Sequence, residues 1–292
     1  MNLFNLIPFA LAYIMFVLGV QLTPQDFFRL KTSPKSVIAG LFSQMVMVPL
    51  IAFVLVSIFQ PSPTIAFGIM LVSFCAGGAT SNLMSFYAKG DVALAVTLTA
   101  ITSLACVVTM PLLIGASFEH FMGTAAGQFD SRSMSVKVFI LTTLPVLLGM
   151  ITRRFAPQLV TRLQPSMQKL VNIFFALLVI GAVVSNWQVM VNQFLSIGGL
   201  VLLMAGILLV WGIYFAKMLG LPKTVQKTIG IETSLQNGAM GIALAPFIMH
   251  STSGLSEIAV PAALYGVLMN VITLPYVWYC QNKSVNVNQK LA

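Results

Sequence analysis

Gly230-Ile231-Glu232-Thr233-Ser234-Leu235-Gln236-Asn237-Gly238 lies inside an otherwise apolar run, from Thr228 to Met249, that is long enough to cross a bilayer. Glu232 is the one acidic side chain placed well inside a hydrophobic span. A charge at the centre of the hydrocarbon costs about 2.5–3.5 kcal/mol on insertion scales, so such a residue faces a bundle interior or water. Two hydroxyls, two amides and two glycines surround it. This is the pattern of an interrupted helix that carries oxygen ligands at membrane depth, and it points to an ion or substrate site.

Outward from that stretch, the composition defines the setting. Of 292 residues, 58% are hydrophobic and 7% charged, and the mean hydropathy is +0.96. Soluble domains carry about 25% charged residues, so the chain reads as an all-α polytopic membrane protein. A net charge of +9 raises the question of nucleic acid, but the basic residues are distributed as membrane-orientation signals. Cys75, Cys106 and Cys280 sit in or at the ends of apolar spans without paired spacing, and read as small packing residues. The first apolar run has no basic residue before it and Arg29, Lys31 and Lys35 after it. That order is the reverse of a signal peptide's, so it is expected to be a retained span.

Apolar runs cut by Pro, Gly and charge give about nine transmembrane helices, at 4–22, 36–59, 64–88, 91–114, 135–152, 169–187, 196–219, 225–249 and 256–280. With the N-terminus outside, Arg29, Lys31, Lys35, Lys89, Arg153, Arg154, Arg162, Lys169, Lys217, Lys223, Lys227, Lys283 and Lys290 all fall inside, and only Arg132 and Lys137 outside. This positive-inside bias places the C-terminus in the cytoplasm. Asp91 reads as a helix cap at the inner interface. Glu119, Asp130, Glu257, His120 and His250 fall in outer loops or at span ends, and 115–134 reads as the only long outer loop.

The third span contains Phe74-Cys75-Ala76-Gly77-Gly78-Ala79-Thr80-Ser81-Asn82. Adjacent glycines weaken a helix by about 1 kcal/mol each, and Thr, Ser and Asn can cap a restarted one. The third and eighth spans therefore share one pattern, an apolar half, a glycine and hydroxyl/amide break, and a second apolar half. They lie five spans apart and so run in opposite directions. This predicts an inverted repeat with two crossed discontinuous helices, spans one to four matching six to nine. At such breaks, carbonyls of one half-helix favour a cation and N–H groups of the other favour an anion. Glu232, Thr233, Gln236, Ser81 and Asn82 offer oxygens to a hard cation such as Na⁺. The competing reading is that these residues only mediate helix packing. Gln44, Thr99 and Asn270, each inside a span, remain open between packing and function.

The two motifs, with the opening Leu18-Gly19-Val20-Gln21-Leu22-Thr23-Pro24-Gln25-Asp26-Phe27 and then Pro34, Gly40, Gln44 and Pro49, resemble the bile acid:sodium symporter (BASS) family over nearly the whole chain. The resemblance implies a secondary transporter that couples Na⁺ entry to uptake of an organic anion. It implies a panel domain of 1–22 and 135–187 and a core domain of 36–114 and 196–280. One family sodium site maps onto Ser81, Asn82, Ala95, Thr99 and Glu232. The second maps onto Glu232, Thr233, Leu235, Gln236 and Gln44. The anion would lie beside Thr80 and Asn237, with Asn270 further off. There are departures from the family pattern. Ala95 stands where the family often has a hydroxyl and removes one ligand from the first site. Ala76 replaces a frequent Pro, and Ala79-Thr80 reverses the more usual Thr-Ala order. Many bacterial members have ten spans, and this chain reads as lacking the first.

The resulting expectation is a sodium-coupled symporter in the plasma (inner) membrane. It would import a small organic monoanion, pantoate- or ketopantoate-like or bile-acid-like, by alternating access. One or two Na⁺ are its coupling ions, the lipid bilayer is its surroundings, and neither nucleic acid nor an obligatory protein partner is inferred. A proton-coupled organic anion carrier of the same fold is the alternative. An intramembrane enzyme would need a nucleophile–base set or metal ligands at membrane depth, which the two outer histidines do not supply. A membrane receptor would need an output domain from a partner.

Overall fold

The computed structural model describes residues 7–27, 29–123, 131–249 and 256–291, and every long element among them is helical. In chain order these are α1 (Ile7–Gln21), α2 (Pro34–Phe59), α3a (Pro63–Ser73), α3b (Ala79–Tyr87), α4 (Val92–Met122), α5 (Ser131–Phe155), α6 (Pro157–Ser185), α7 (Trp187–Met218), α8a (Lys223–Ser234), α8b (Gly238–Met249) and α9 (Ala259–Leu291). Among the described residues six single helices are long and apolar enough to cross a membrane, and the two interrupted pairs add their own passage. The order helix, long helix, interrupted helix, long helix occurs twice, in α1–α4 and α6–α9, with α5 between. Residues 4–6 of the expected first span, and His250, lie outside the described residues.

Several boundaries differ from the sequence reading: α7 begins at Trp187 rather than 196 and α9 runs to Leu291 rather than 280. Hydropathy predicts loop over most of 115–134, but α4 runs on to Met122 and α5 starts at Ser131, leaving 124–130 outside the described residues. The extension of α4 is held by aromatic packing, with Phe118 edge-on to Phe67 at 5.4 Å and Phe121 against Phe53 at 6.0 Å. Likewise α6 begins at Pro157 rather than near 169. Proline is tolerated in a first helical turn, and here it restarts the chain immediately after the non-helical Ala156.

Close packing depends on glycine where backbones touch. A side chain at Gly19 would fall on the Val146 carbonyl, and one at Gly149 on the Phe16 carbonyl, so α1 and α5 meet backbone to backbone. In the same way a Cβ on Gly212 would lie 2.8 Å from the Gly230 Cα, which presses α8a against α7. α1, α5 and α6 all contact one another. The two interrupted helices pack with α2, α4, α7 and α9, and α8b also contacts α1, α5 and α6.

At the turn between α3b and α4, the expected cap is in place. Asp91 Oδ1 accepts from Leu94 N at 3.0 Å, while Thr228 Oγ1 accepts from Asp91 N at 2.8 Å and Lys227 Nζ donates to the Ala88 carbonyl at 2.8 Å. These bonds tie α8a to the end of α3b. At the opposite end, Thr64 donates to Glu257 Oε2 at 3.1 Å, linking α3a to the start of α9.

Candidate functional site

The two breaks meet. Residues 74–78 leave helical geometry between α3a and α3b, Gly78 being extended at φ −125°, ψ 174°. Residues 235–237 do so between α8a and α8b, with Leu235 extended at φ −106°, ψ 112°. The Asn237 N–H donates to the Ala76 carbonyl at 3.0 Å, so each break supplies a backbone group the other has freed. Asn237 also caps α8b, its Oδ1 accepting from Met240 N at 3.1 Å.

Glu232 is in the last turn of α8a and is 3% exposed. Thr99 Oγ1, from α4, lies 2.9 Å from Glu232 Oε2 and 3.3 Å from Asn82 Oδ1, and its one proton can serve only one of them at a time. The Ser81 hydroxyl reaches the same carboxylate and also lies 2.7 Å from the Gly78 carbonyl. A Cβ built on Gly77 would stand 3.1 Å from Glu232 Oε2, 3.4 Å from Ser81 Oγ and 3.8 Å from the Leu235 carbonyl oxygen. Three oxygens, one from α3b and two from the end of α8a and the break that follows it, therefore converge beside a residue that has no side chain. The other carboxylate oxygen, Glu232 Oε1, is buried without a hydrogen-bond partner. Burying an unpaired ionised carboxylate is strongly unfavourable, and a cation among these oxygens would offset that cost. Ala95, one turn before Thr99, is fully buried and adds no oxygen.

Across the break, Gln44 Nε2 donates to Gln236 Oε1 at 2.8 Å, and Gln236 Nε2 to the Thr233 carbonyl at 3.0 Å. Gln44 Oε1 is a second buried oxygen without a partner. Its position follows from a local irregularity in α2. Ser43–Met47 forms a π-helical turn, with Val48 N bonding back to the Ser43 carbonyl. Pro49 has no N–H to give to the Met45 carbonyl, which favours this widening of the helix. The Thr233 hydroxyl is committed to the Ile229 carbonyl at 2.6 Å, leaving its backbone carbonyl facing Gln236.

Around the substrate-side residues, a cavity of about 530 Å³, counted to its open mouth, is lined by Thr80, Ser81, Gln236 and Asn237 from the crossing and by Gln168 and Asn172 from α6. Thr80 is exposed there. Asn270 does not line it. Its amide turns back onto its own helix, with both the Gly266 and Val267 carbonyls at 3.2 Å, and Met269 lines the cavity instead.

Sequence reasoning missed Tyr265. Fully buried on α9, it donates its hydroxyl at 2.8 Å to the Ser234 carbonyl, one of those freed where α8a ends. The bond fixes the exit of the chain from Glu232 toward Leu235. A lone tyrosine in an apolar span carries no local signal of that role. Replacing Tyr265 by Phe keeps the ring and strands the carbonyl, at a cost of about 1–3 kcal/mol. We expect roughly tenfold weaker Na⁺ binding, read from a sodium titration of thermal stability, with the protein still folded.

Interrupted membrane helices whose breaks meet inside a bundle are the build of a secondary transporter. The sequence profile of the Sodium Bile acid symporter family matches residues 8–193. A Bacillus subtilis (strain 168) protein named uncharacterized sodium-dependent transporter YocS is 33% identical over 262 residues, covering 89% of this chain and 78% of that protein. The probable sodium/metabolite cotransporter BASS2, chloroplastic, of Oryza sativa subsp. japonica is 27% identical, covering 98% and 66%. The probable sodium/metabolite cotransporter BASS1, chloroplastic, of Arabidopsis thaliana is 28% identical, covering 90% and 63%. This chain thus spans less than two thirds of the two plant proteins. By both the profile and the Bacillus relative, it belongs to the sodium bile acid symporter family, whose members are transporters and not enzymes.

Proposed function

We propose that this chain is a sodium-coupled symporter that imports an organic monoanion by alternating access. The observation that carries this reading is the buried Glu232 carboxylate at the junction of two broken helices, with one oxygen unpartnered and hydroxyl and carbonyl oxygens gathered beside the other. Hard cations take oxygen ligands, and Na⁺ would take Glu232 with Ser81, Asn82 and Thr99 on one side. On the other it would take Glu232 with Gln44, Gln236 and the carbonyls of Thr233 and Leu235. The names of the relatives, sodium-dependent transporter and sodium/metabolite cotransporter, support the choice of ion.

The anion, pantoate- or ketopantoate-like or bile-acid-like, would lie on the N-terminal turns of α3b and α8b beside Thr80 and Asn237. There, N–H groups and helix dipoles favour negative charge. Sodium at Glu232 orders both breaks, so the anion binds better to the sodium-loaded form, and by linkage sodium binds better to the anion-loaded form. α1, α5 and α6 form the panel and α2–α4 with α7–α9 the core, the cavity lying between α6 and the crossing. The basic residues set the N-terminus outside and the C-terminus in the cytoplasm of the plasma (inner) membrane.

Proteoliposomes given an inward Na⁺ gradient test the reading directly. Uptake of labelled pantoate or taurocholate is expected with Na⁺ outside and not with choline. Uptake that ignores Na⁺ and collapses with the pH gradient would instead establish proton coupling.

A further inference from the structure

One wall of the cavity has no part in the transport reading so far. α6 is apolar where it faces the crossing, with Val171 and Phe175 lining the cavity, yet two amides, Gln168 and Asn172, lie one helical turn apart on that same face. They are held from behind. Gln21, at the end of α1, donates Nε2 to Gln168 Oε1 at 2.8 Å, and Gln168 donates Nε2 to Asn172 Oδ1 at 3.3 Å. Each α6 amide oxygen thereby accepts one hydrogen bond, which leaves the Asn172 Nδ2 protons and the second Gln168 Nε2 proton as donors on the cavity wall. The facing wall also presents donors, the N-terminal turns of α3b and α8b and the Thr80 hydroxyl. Among the described residues that line the cavity, none is charged. A ligand held between two donor surfaces needs acceptor oxygens at both ends. Acids that are apolar beyond the carboxylate would offer the α6 amides no oxygen to donate to.

We propose that Gln168 and Asn172, aligned by Gln21, are specificity-determining residues that read a neutral oxygen, hydroxyl or oxo, on the substrate away from its carboxylate. The assignment rests on the organic-anion reading of the site. It adds to that reading the wall that selects among acids. Because the amides stand on α6 and the carboxylate site on the interrupted helices, such a substrate bridges both walls.

The test uses two acids of one carbon skeleton, pantoate and its analogue without hydroxyls, 3,3-dimethylbutanoate. Binding to the purified full chain in saturating NaCl is measured by calorimetry, beside Gln168→Leu and Asn172→Leu, with Asn172→Ala as a milder variant. Sodium-dependent thermal stabilisation reports that each variant is folded. Wild type is expected to prefer pantoate by about tenfold or more. In the variants that preference should fall to within about threefold, through weaker pantoate binding alone. Two results overturn the assignment by itself: equal binding of the two acids to wild type, or a preference that persists in the variants. If no carboxylate, taurocholate included, binds to sodium-stabilised wild type, the organic-anion reading fails and this assignment fails with it.

Discussion

Replacing Glu232 by Ala is expected to abolish sodium-driven uptake, by a factor of a hundred or more, in protein that still folds. Among the described residues the carboxylate is the only negative charge at the crossing, and Thr99 and Ser81 both reach it. Removing one partner of a buried charge pair costs about 3–5 kcal/mol, which exceeds a hundredfold in affinity. The same physics gives Glu232→Gln an opposite signature without sodium. An amide in place of an unpaired carboxylate lowers the cost of burial, so this variant should melt above wild type in sodium-free buffer and gain nothing when sodium is added. Flux measurements and paired melting curves check both statements. A Glu232→Ala protein that still transports with Na⁺ would remove the carboxylate from the mechanism.

The second large effect is structural. Gly212→Leu should leave little monodisperse protein after extraction, because even the first carbon of the new side chain would stand 2.8 Å from the Gly230 Cα and 2.9 Å from the Ile229 carbonyl. Those are backbone atoms and cannot step aside by changing rotamer. Overpacking of this kind costs about 1–3 kcal/mol and often more against backbone, and α8a, which carries Glu232, would have to move as a whole. Size-exclusion profiles of the extracted variant provide the check. Gly199→Leu, on the same helix, is the control, since nothing lies within 4 Å of a side chain built there. A monodisperse Gly212→Leu with normal sodium stabilisation would refute the packing argument.

Much of the fold is legible in the sequence because its signals are local. Long apolar runs, a one-sided distribution of Lys and Arg, and glycines followed by capping residues each occupy a short window. Gly77-Gly78 and the stretch from Gly230 to Gly238 therefore mark the two breaks from composition and spacing alone, and the structure narrows the second to residues 235–237. The extents of α4 and α6 escape such a reading because hydropathy marks where a helix leaves the bilayer, not where it ends. Phe118 and Phe121 prolong α4 through aromatic contacts with Phe67 and Phe53 that no linear window displays.

The site is legible in part, and the reason is again distance along the chain. Gln44 and Gln236 are 192 positions apart, and Thr99 and Glu232 are 133 apart. The residues alone leave Gln44 and Thr99 undecided, and family resemblance draws them in. Tyr265 and the Gln21–Gln168–Asn172 relay are invisible at that level. A tyrosine in an apolar span, or an amide near its end, looks the same whether it binds a neighbouring helix or nothing. Asn270 is the converse case, a polar residue at a suggestive depth whose amide satisfies its own helix.

The central claim is that a cation at Glu232 holds the two breaks together. The most direct test is the melting temperature of the purified protein across a sodium chloride series balanced with choline chloride. Stabilisation should grow with the logarithm of sodium once binding saturates, reaching about 2.7 kcal/mol at a hundred times the dissociation constant, and vanish in Glu232→Ala. Coincident sodium and choline curves would contradict the account.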